Sequence, residues 1–185
     1  MVEIRIHGRG GQGVVTAAEL IAIAAFKDGK QAQAFSSFGV ERTGAPVESY
    51  VRIDDQPIIT RQQIYRPNVL IVQDASLLGA IDVAKGADKN TLIIINTAKN
   101  KDELKINLPP GARKNNLHFI DATKIAIAII GKNIVNTVIL GAFAKATGLI
   151  GLKSLEAAIK EKFVDQPNLV AKNIKAVKRT YQSNI

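Results

Sequence analysis

Val2-Glu3-Ile4-Arg5-Ile6-His7-Gly8-Arg9-Gly10-Gly11-Gln12-Gly13-Val14-Val15-Thr16-Ala17-Ala18 opens the chain, and its three parts predict a strand, a glycine-rich turn and a helix. Val2–His7 alternates apolar and polar residues as a half-buried strand does. Gly8, Gly10 and Gly13 satisfy G-x-G-x-x-G between a strand and a helix, the context that pattern requires. Glycines let the backbone turn tightly and approach a ligand, while the open amides and dipole of the first helical turn favour an anion. On the pattern alone two readings stand: an anion-binding loop in which Arg9 adds a charged contact, or a tight turn whose glycines only permit close packing.

Outward from this stretch the chain alternates strand and helix. The helix runs from about Val14 to Lys27, with Gly29 as its terminating glycine. A strand at Gln31–Phe35 leads into a long loop, Ser36–Pro46, and Val47–Ile53 forms another strand. Asp54-Asp55-Gln56-Pro57 supplies turn chemistry before Ile58-Ile59, which predicts a hairpin over Val47–Ile59 at one sheet edge. Val69–Val72 and Leu92–Ile95 are continuous apolar runs, as in parallel strands buried on both faces. Between them a helix is expected with Ser76 as its cap, carrying Leu77, Leu78 and Ile81. Pro109-Pro110-Gly111 is a loop, Leu117–Ile120 a strand, and Asp121-Ala122-Thr123 opens a helix that stops near Gly131. Asn136 is expected to cap a helix through Ala146, and Ser154–Ile159 and Asn168–Tyr181 to be helical. This order predicts one α/β domain over residues 1–185, a Rossmann-like three-layer α/β/α sandwich around a mostly parallel sheet with a mixed edge.

Composition removes several functions. The 185 residues contain no cysteine, hence no disulfide, thiolate nucleophile or iron–sulfur ligation by thiolate. The two histidines, His7 and His118, have no metal-ligand spacing. No apolar run approaches the roughly 18 residues of a membrane span, and the start reads as a strand rather than a signal peptide, so a cytoplasmic location is expected. The net charge of +9 is uneven: residues 1–84 hold 8 basic and 9 acidic residues, residues 85–185 hold 17 and 7. That asymmetry suits a docking surface for an acidic protein. The lysines are scattered at helical intervals without interleaved aromatics, which argues against nucleic acid.

A dinucleotide site would need an acid about 20 residues beyond the glycines to hold a ribose. Phe35-Ser36-Ser37 stands there, with Asp28 too early and Glu41 and Arg42 too late. The loop also lacks the Lys-Ser/Thr ending of an NTPase phosphate loop. His7, at the end of the first strand, is a candidate ligand contact or a hydrogen-bonded structural residue. No catalytic residue is assigned within the chain.

Four blocks carry a family resemblance: Ile4–Ala18, Phe38-Gly39-Val40-Glu41-Arg42-Thr43-Gly44-Ala45-Pro46-Val47, Ile64-Tyr65-Arg66-Pro67-Asn68-Val69 and Asn136–Ala142. In this order, over almost the whole chain, they resemble the gamma subunit of pyruvate and 2-oxoisovalerate:ferredoxin oxidoreductases. Ser36-Ser37 and Thr43 depart from the family's usual residues. The resemblance implies a subunit of a multi-subunit enzyme, with pyruvate the first choice of 2-oxoacid. Thiamine pyrophosphate and Mg²⁺ would sit between alpha and beta subunits and [4Fe–4S] clusters in a delta subunit, with ferredoxin as electron acceptor and coenzyme A (CoA) as co-substrate. This chain would own none of these cofactors. The candidate contact set is Gly8, Arg9, Gly10, Gly11, Gln12 and Gly13 with Glu41, Arg42, Thr43 and Gly44, either against CoA phosphates or against partner subunits. The alternatives are a stand-alone NAD(P)-binding reductase and a non-catalytic basic binding protein.

Overall fold

The computed structural model describes residues 1–37, 43–99, 103–104, 108, 111 and 113–184. Six strands, β1 (Val2–Arg9), β2 (Gln31–Ser36), β3 (Pro46–Asp54), β4 (Val69–Val72), β5 (Leu92–Asn96) and β6 (Leu117–Ile120), form one sheet in the order β2-β3-β1-β4-β5-β6. β1, β4, β5 and β6 are mutually parallel, whereas β3 runs antiparallel to both β1 and β2. Five helices follow the expected positions: α1 (Val14–Lys27), α2 (Ala122–Ile130), α3 (Val135–Thr147), α4 (Leu152–Lys162) and α5 (Pro167–Gln182).

Three local expectations are corrected. The antiparallel edge is β2 against β3, Gln31 opposite Asp54 and Ser36 opposite Ser49; Ile58 and Ile59 form no strand, and Ile59 is exposed. The segment at Ser76 is a 3₁₀ turn, Ala75–Gly79, capped by Asp74, whose carboxylate accepts from the Ser76 amide. A cap must precede the first turn to reach its amides, and Asp74 holds that place. Asn136 is not the cap of α3 but lies inside its first turn, buried, with Ile134 at the cap position.

Alternation along the strands divides the core. Ile4, Ile6, Val51, Val69, Ile71 and Ile94 face all five helices, packing with Leu20, Ile21, Val138, Phe143, Leu155 and Val177. Leu70, Val72, Ile93 and Ile95 point the other way, onto Leu77, Val83 and Ala84. The second outer layer of the sandwich is therefore thin, built among the described residues from the 3₁₀ turn and irregular chain. Gly141 brings α3 against α5. A Cβ there would lie 2.1 Å from Thr180 Oγ1 and 2.2 Å from the Val177 carbonyl oxygen. The glycine and alanines of α3 thus serve a contact within the chain.

On the thin side, β1 and β3 carry charge. Arg52, 2% exposed, donates to Glu3 at 2.9 Å and to the Gln62 carbonyl at 2.6 Å, and lies 5.1 Å over the Phe35 ring. Arg5 donates to the carbonyls of Ile64, Val83 and Lys85 and, through Nε, to His7 Nε2 at 3.1 Å. Each buried guanidinium thus offsets its desolvation with several acceptors. In the same act the two arginines hold irregular chain against the sheet. Since His7 Nε2 accepts, its proton sits on Nδ1, facing Glu48 Oε1 at 3.5 Å, too long for a hydrogen bond. Burial, partly opposed by the Glu48 charge, lowers the His7 pKa from 6.5 to about 4. His7 is thus a buried, neutral structural residue at pH 7.

Gly141→Ala is expected to lower stability by about 1–3 kcal/mol through overpacking, read from chemical denaturation of the purified chain. For His7, the unfolded chain binds the extra proton between pH 6.5 and about 4, so stability rises with pH across that window and falls on acidification. His7→Gln should flatten that slope, by up to about 3 kcal/mol between the two limits, in denaturation curves taken from pH 4 to 7.

Candidate functional site

β1 runs two residues beyond His7 because its last residues pair with the start of β3, Gly8 opposite Val47 and Arg9 opposite Pro46. The turn that follows is closed onto the neighbouring loop: the Gly10 amide donates to the Ala45 carbonyl at 2.8 Å, and the Gly44 amide to the Gly10 carbonyl at 3.1 Å. The structure therefore brings Gly8–Gly13 together with Thr43 and Gly44. Glu41 and Arg42 lie outside the described residues.

The glycines divide by role. Gly11 and Gly13 have φ of +90° and +72°, where a side chain is strained. A Cβ on Gly13 would sit 2.2 Å from Asn136 Nδ2, and one on Gly8 would sit 2.5 Å from Val14 Cγ2. Gly8 and Gly13 thus admit the amino ends of α1 and α3 to the sheet edge, while Gly10 and Gly11 face outward. Gly13 caps α1 without a side-chain bond, and no acid occupies its first turn. That end keeps its positive dipole uncompensated. It opens on a depression of about 370 Å³ lined by Gly10, Gly11, Gly13, Val15, Ser36 and Val47, with Arg9 at its border.

Arg9 does not point freely into this space. Its guanidinium donates to the Gly44 carbonyl at 2.9 Å and the Ser76 hydroxyl at 2.8 Å, and approaches Asp74 Oδ2 at 3.3 Å. Gln12 joins the same cluster: Oε1 accepts from the Arg9 amide at 2.8 Å, and Nε2 donates to Asp74 at 2.8 Å. Burial alone would raise the Asp74 pKa, but the bonds from Ser76 and Gln12 and the Arg9 charge together hold it below its ordinary 3.8. Arg9 and Gln12 thus tie the glycine turn to the end of β4. Asp74 and Ser76 were missed as site residues by sequence reasoning. Their signal was position, directly beyond the carboxyl end of an apolar parallel strand, where α/β sheets collect ligands.

The dinucleotide reading finds no support in this geometry. Ser36, at the end of β2, bonds Ser49 at 2.8 Å. Asp28 accepts from the Gly151 amide at 2.6 Å and from the Ser154 hydroxyl, serving the amino end of α4. No nucleophile–base pair occurs in the turn, and among the described residues no cluster of His, Asp or Glu is arranged to hold a metal. No described helix is long and apolar enough to cross a membrane. What the described part of the turn presents is backbone and the amino end of α1, which has no side-chain cap bond.

Known proteins place this architecture. The family model for pyruvate ferredoxin/flavodoxin oxidoreductase matches residues 3–183. The chain is 51% identical over 187 aligned residues to a pyruvate/ketoisovalerate oxidoreductases common subunit gamma of Thermococcus kodakarensis, covering 100% of this chain and 98% of that protein. It is 55% identical over 160 residues to a pyruvate synthase subunit PorC of Methanosarcina barkeri, covering 86% and 85% of the two. The solved pyruvate oxidoreductase subunit PORC of Thermotoga maritima superposes with a TM-score of 0.84 at 32% identity, over 98% of this chain and 96% of that one. With a family model matching nearly the whole chain and an end-to-end likeness to gamma chains, this protein belongs to the pyruvate ferredoxin/flavodoxin oxidoreductase family, as a gamma-type subunit.

Proposed function

We propose that this chain is the gamma subunit of a cytoplasmic multi-subunit 2-oxoacid:ferredoxin oxidoreductase, acting on pyruvate, in which it presents the glycine turn to CoA. Residues 1–185 act in this reading as one domain, docked on alpha, beta and delta subunits. Thiamine pyrophosphate with Mg²⁺ in the alpha and beta subunits supplies the decarboxylation chemistry, and [4Fe–4S] clusters in delta conduct electrons to ferredoxin. The chain's own part is to bind and orient: its turn gathers the phosphates of CoA so that the thiol end can reach the acyl group.

The observation that carries this reading is the depression beside the uncapped amino end of α1, floored by Gly10, Gly11 and Gly13. Backbone amides and a helix dipole suit a phosphate there, and the absence of side chains allows close approach. The apolar walls, Val15 and Val47, suit the pantetheine or the adenine face. Arg9 acts in this account as a clamp that sets the shape of the turn. A second reading, in which the turn serves only subunit packing, draws on the same clamp, since the Arg9 guanidinium is engaged by Gly44, Ser76 and Asp74.

Val15→Asp separates the two. Val15 lies in the first turn of α1, is 36% exposed and lines the depression, so a carboxylate there suits the dipole and leaves the fold intact. In a complex reconstituted with its partner subunits, Val15→Asp should raise the KM for CoA by about ten-fold or more through charge repulsion, while CoA-independent decarboxylation of pyruvate is unchanged. An assembled complex with a normal KM for CoA would establish packing as the role of the turn, as would failed assembly of Val15→Asp alongside normal CoA kinetics for Arg9→Ala.

A further inference from the structure

A second crevice lies on the other side of the glycine turn, and its floor is a buried amide with nothing to bond. Gln73 follows β4 directly. Its main chain is held on both sides, the amide donating to the His7 carbonyl at 2.8 Å and the carbonyl accepting from Asn96 Nδ2 at 2.8 Å. Its side chain is a different matter. The residue is 1% exposed, and neither Nε2 nor Oε1 has a partner. A buried, unpaired carboxamide is destabilising, and this one sits at the carboxyl edge of a parallel sheet, where ligands collect. Gly8 makes its room: a Cβ there would stand 3.2 Å from Gln73 Oε1.

The surroundings define the ligand. The crevice holds about 330 Å³ and is lined by Gln73, Asp74, Ala75, Ala98, Lys99 and Val135, among others. That volume takes a mononucleotide and is small for a dinucleotide. The Gln73 amide offers a donor and an acceptor side by side, the pattern that pairs with N7 and the N6 amino group of adenine. The same edge of guanine shows two acceptors and does not match. Ala75, Ala98 and Val135 supply apolar wall for the faces of a flat base. Lys99 and the amino end of α3, which has no side-chain cap, suit a phosphate. Asp74, the one carboxylate lining the crevice, is already bonded by Arg9, Gln12 and Ser76.

We propose that the Gln73 crevice is a binding site for a free adenine mononucleotide, with Gln73 reading the base and Lys99 holding the phosphate. This inference does not rest on the CoA reading, because among the described residues none lines both depressions.

Titration calorimetry of the full chain tests it with 5′-AMP, adenosine and 5′-GMP. AMP should bind at least about ten-fold more tightly than GMP, the discrimination of one paired amide. Lys99→Ala should weaken AMP but leave adenosine unchanged. Gln73→Leu should weaken AMP by about ten-fold or more, while the ligand-free chain melts at the same or a higher temperature because the unpaired amide is gone. Equal binding of AMP and GMP, no AMP binding at millimolar concentration, or an AMP affinity untouched by Gln73→Leu in a folded chain would each overturn the proposal. The ligand comparison on the unmodified chain decides the matter should that variant fail to fold. In the reconstituted complex, Gln73→Leu should leave the KM for CoA unchanged. A raised KM there would place AMP in the CoA site and overturn the separate site, while the CoA reading itself would stand.

Discussion

Two missing side chains, at Gly8 and Gly13, set the geometry on which the rest of the site depends. The end of β1 must pass under the first turn of α1 and beside the first turn of α3. A Cβ at Gly8 would collide with Val14 and one at Gly13 with Asn136, and both neighbours are buried. With glycine at both, the amino ends of two helices reach the carboxyl edge of the sheet. The depression at α1 and the crevice at Gln73 lie on the two sides of this approach. The pattern G-x-G-x-x-G is thus first a statement about packing, and only through packing about ligands.

Charge holds what hydrophobic burial does not. The helical side of the sheet is an ordinary apolar interface, continuous from Ile4 to Val177. The other side has little regular structure to bury, and two arginines from neighbouring strands take over part of the task. Arg5 and Arg52 reach carbonyls at residues 62, 64, 83 and 85, acceptors that irregular chain leaves unpaired in any case. The same device recurs at the site, where Arg9 gathers a carbonyl, a hydroxyl and a carboxylate from two segments. A guanidinium suits this work because its five donors lie in a fixed plane. Arg5, Arg9 and Arg52 each bond segments of the fold to the sheet.

The glycine turn presents backbone and a helix end rather than charged side chains. Glycine amides and helix ends carry partial charge without titrating, so their anion affinity does not shift with pH as a histidine or lysine site would. The one histidine near the turn is buried beneath the sheet face, where its low pKa keeps it neutral.

Much of this was legible in the sequence for local reasons. Continuous apolar runs of four residues marked β4 and β5, and glycine at both ends bounded α1 correctly, because hydrophobic period and positive φ are properties of short segments. Four ordered blocks sufficed for the family. Other features depended on distant residues. Ile58-Ile59 looked like a returning strand, but the place beside β3 was already taken by β2 and β1. Asn136 looked like a cap, but it lies one residue inside α3, where its side chain packs beside Gly13, 123 positions away. Arg9 and Gln12 find Asp74 only because β1 and β4 are parallel neighbours. The unpaired Gln73 is invisible in sequence for the same reason: whether a buried amide has a partner is settled by what the fold brings to it.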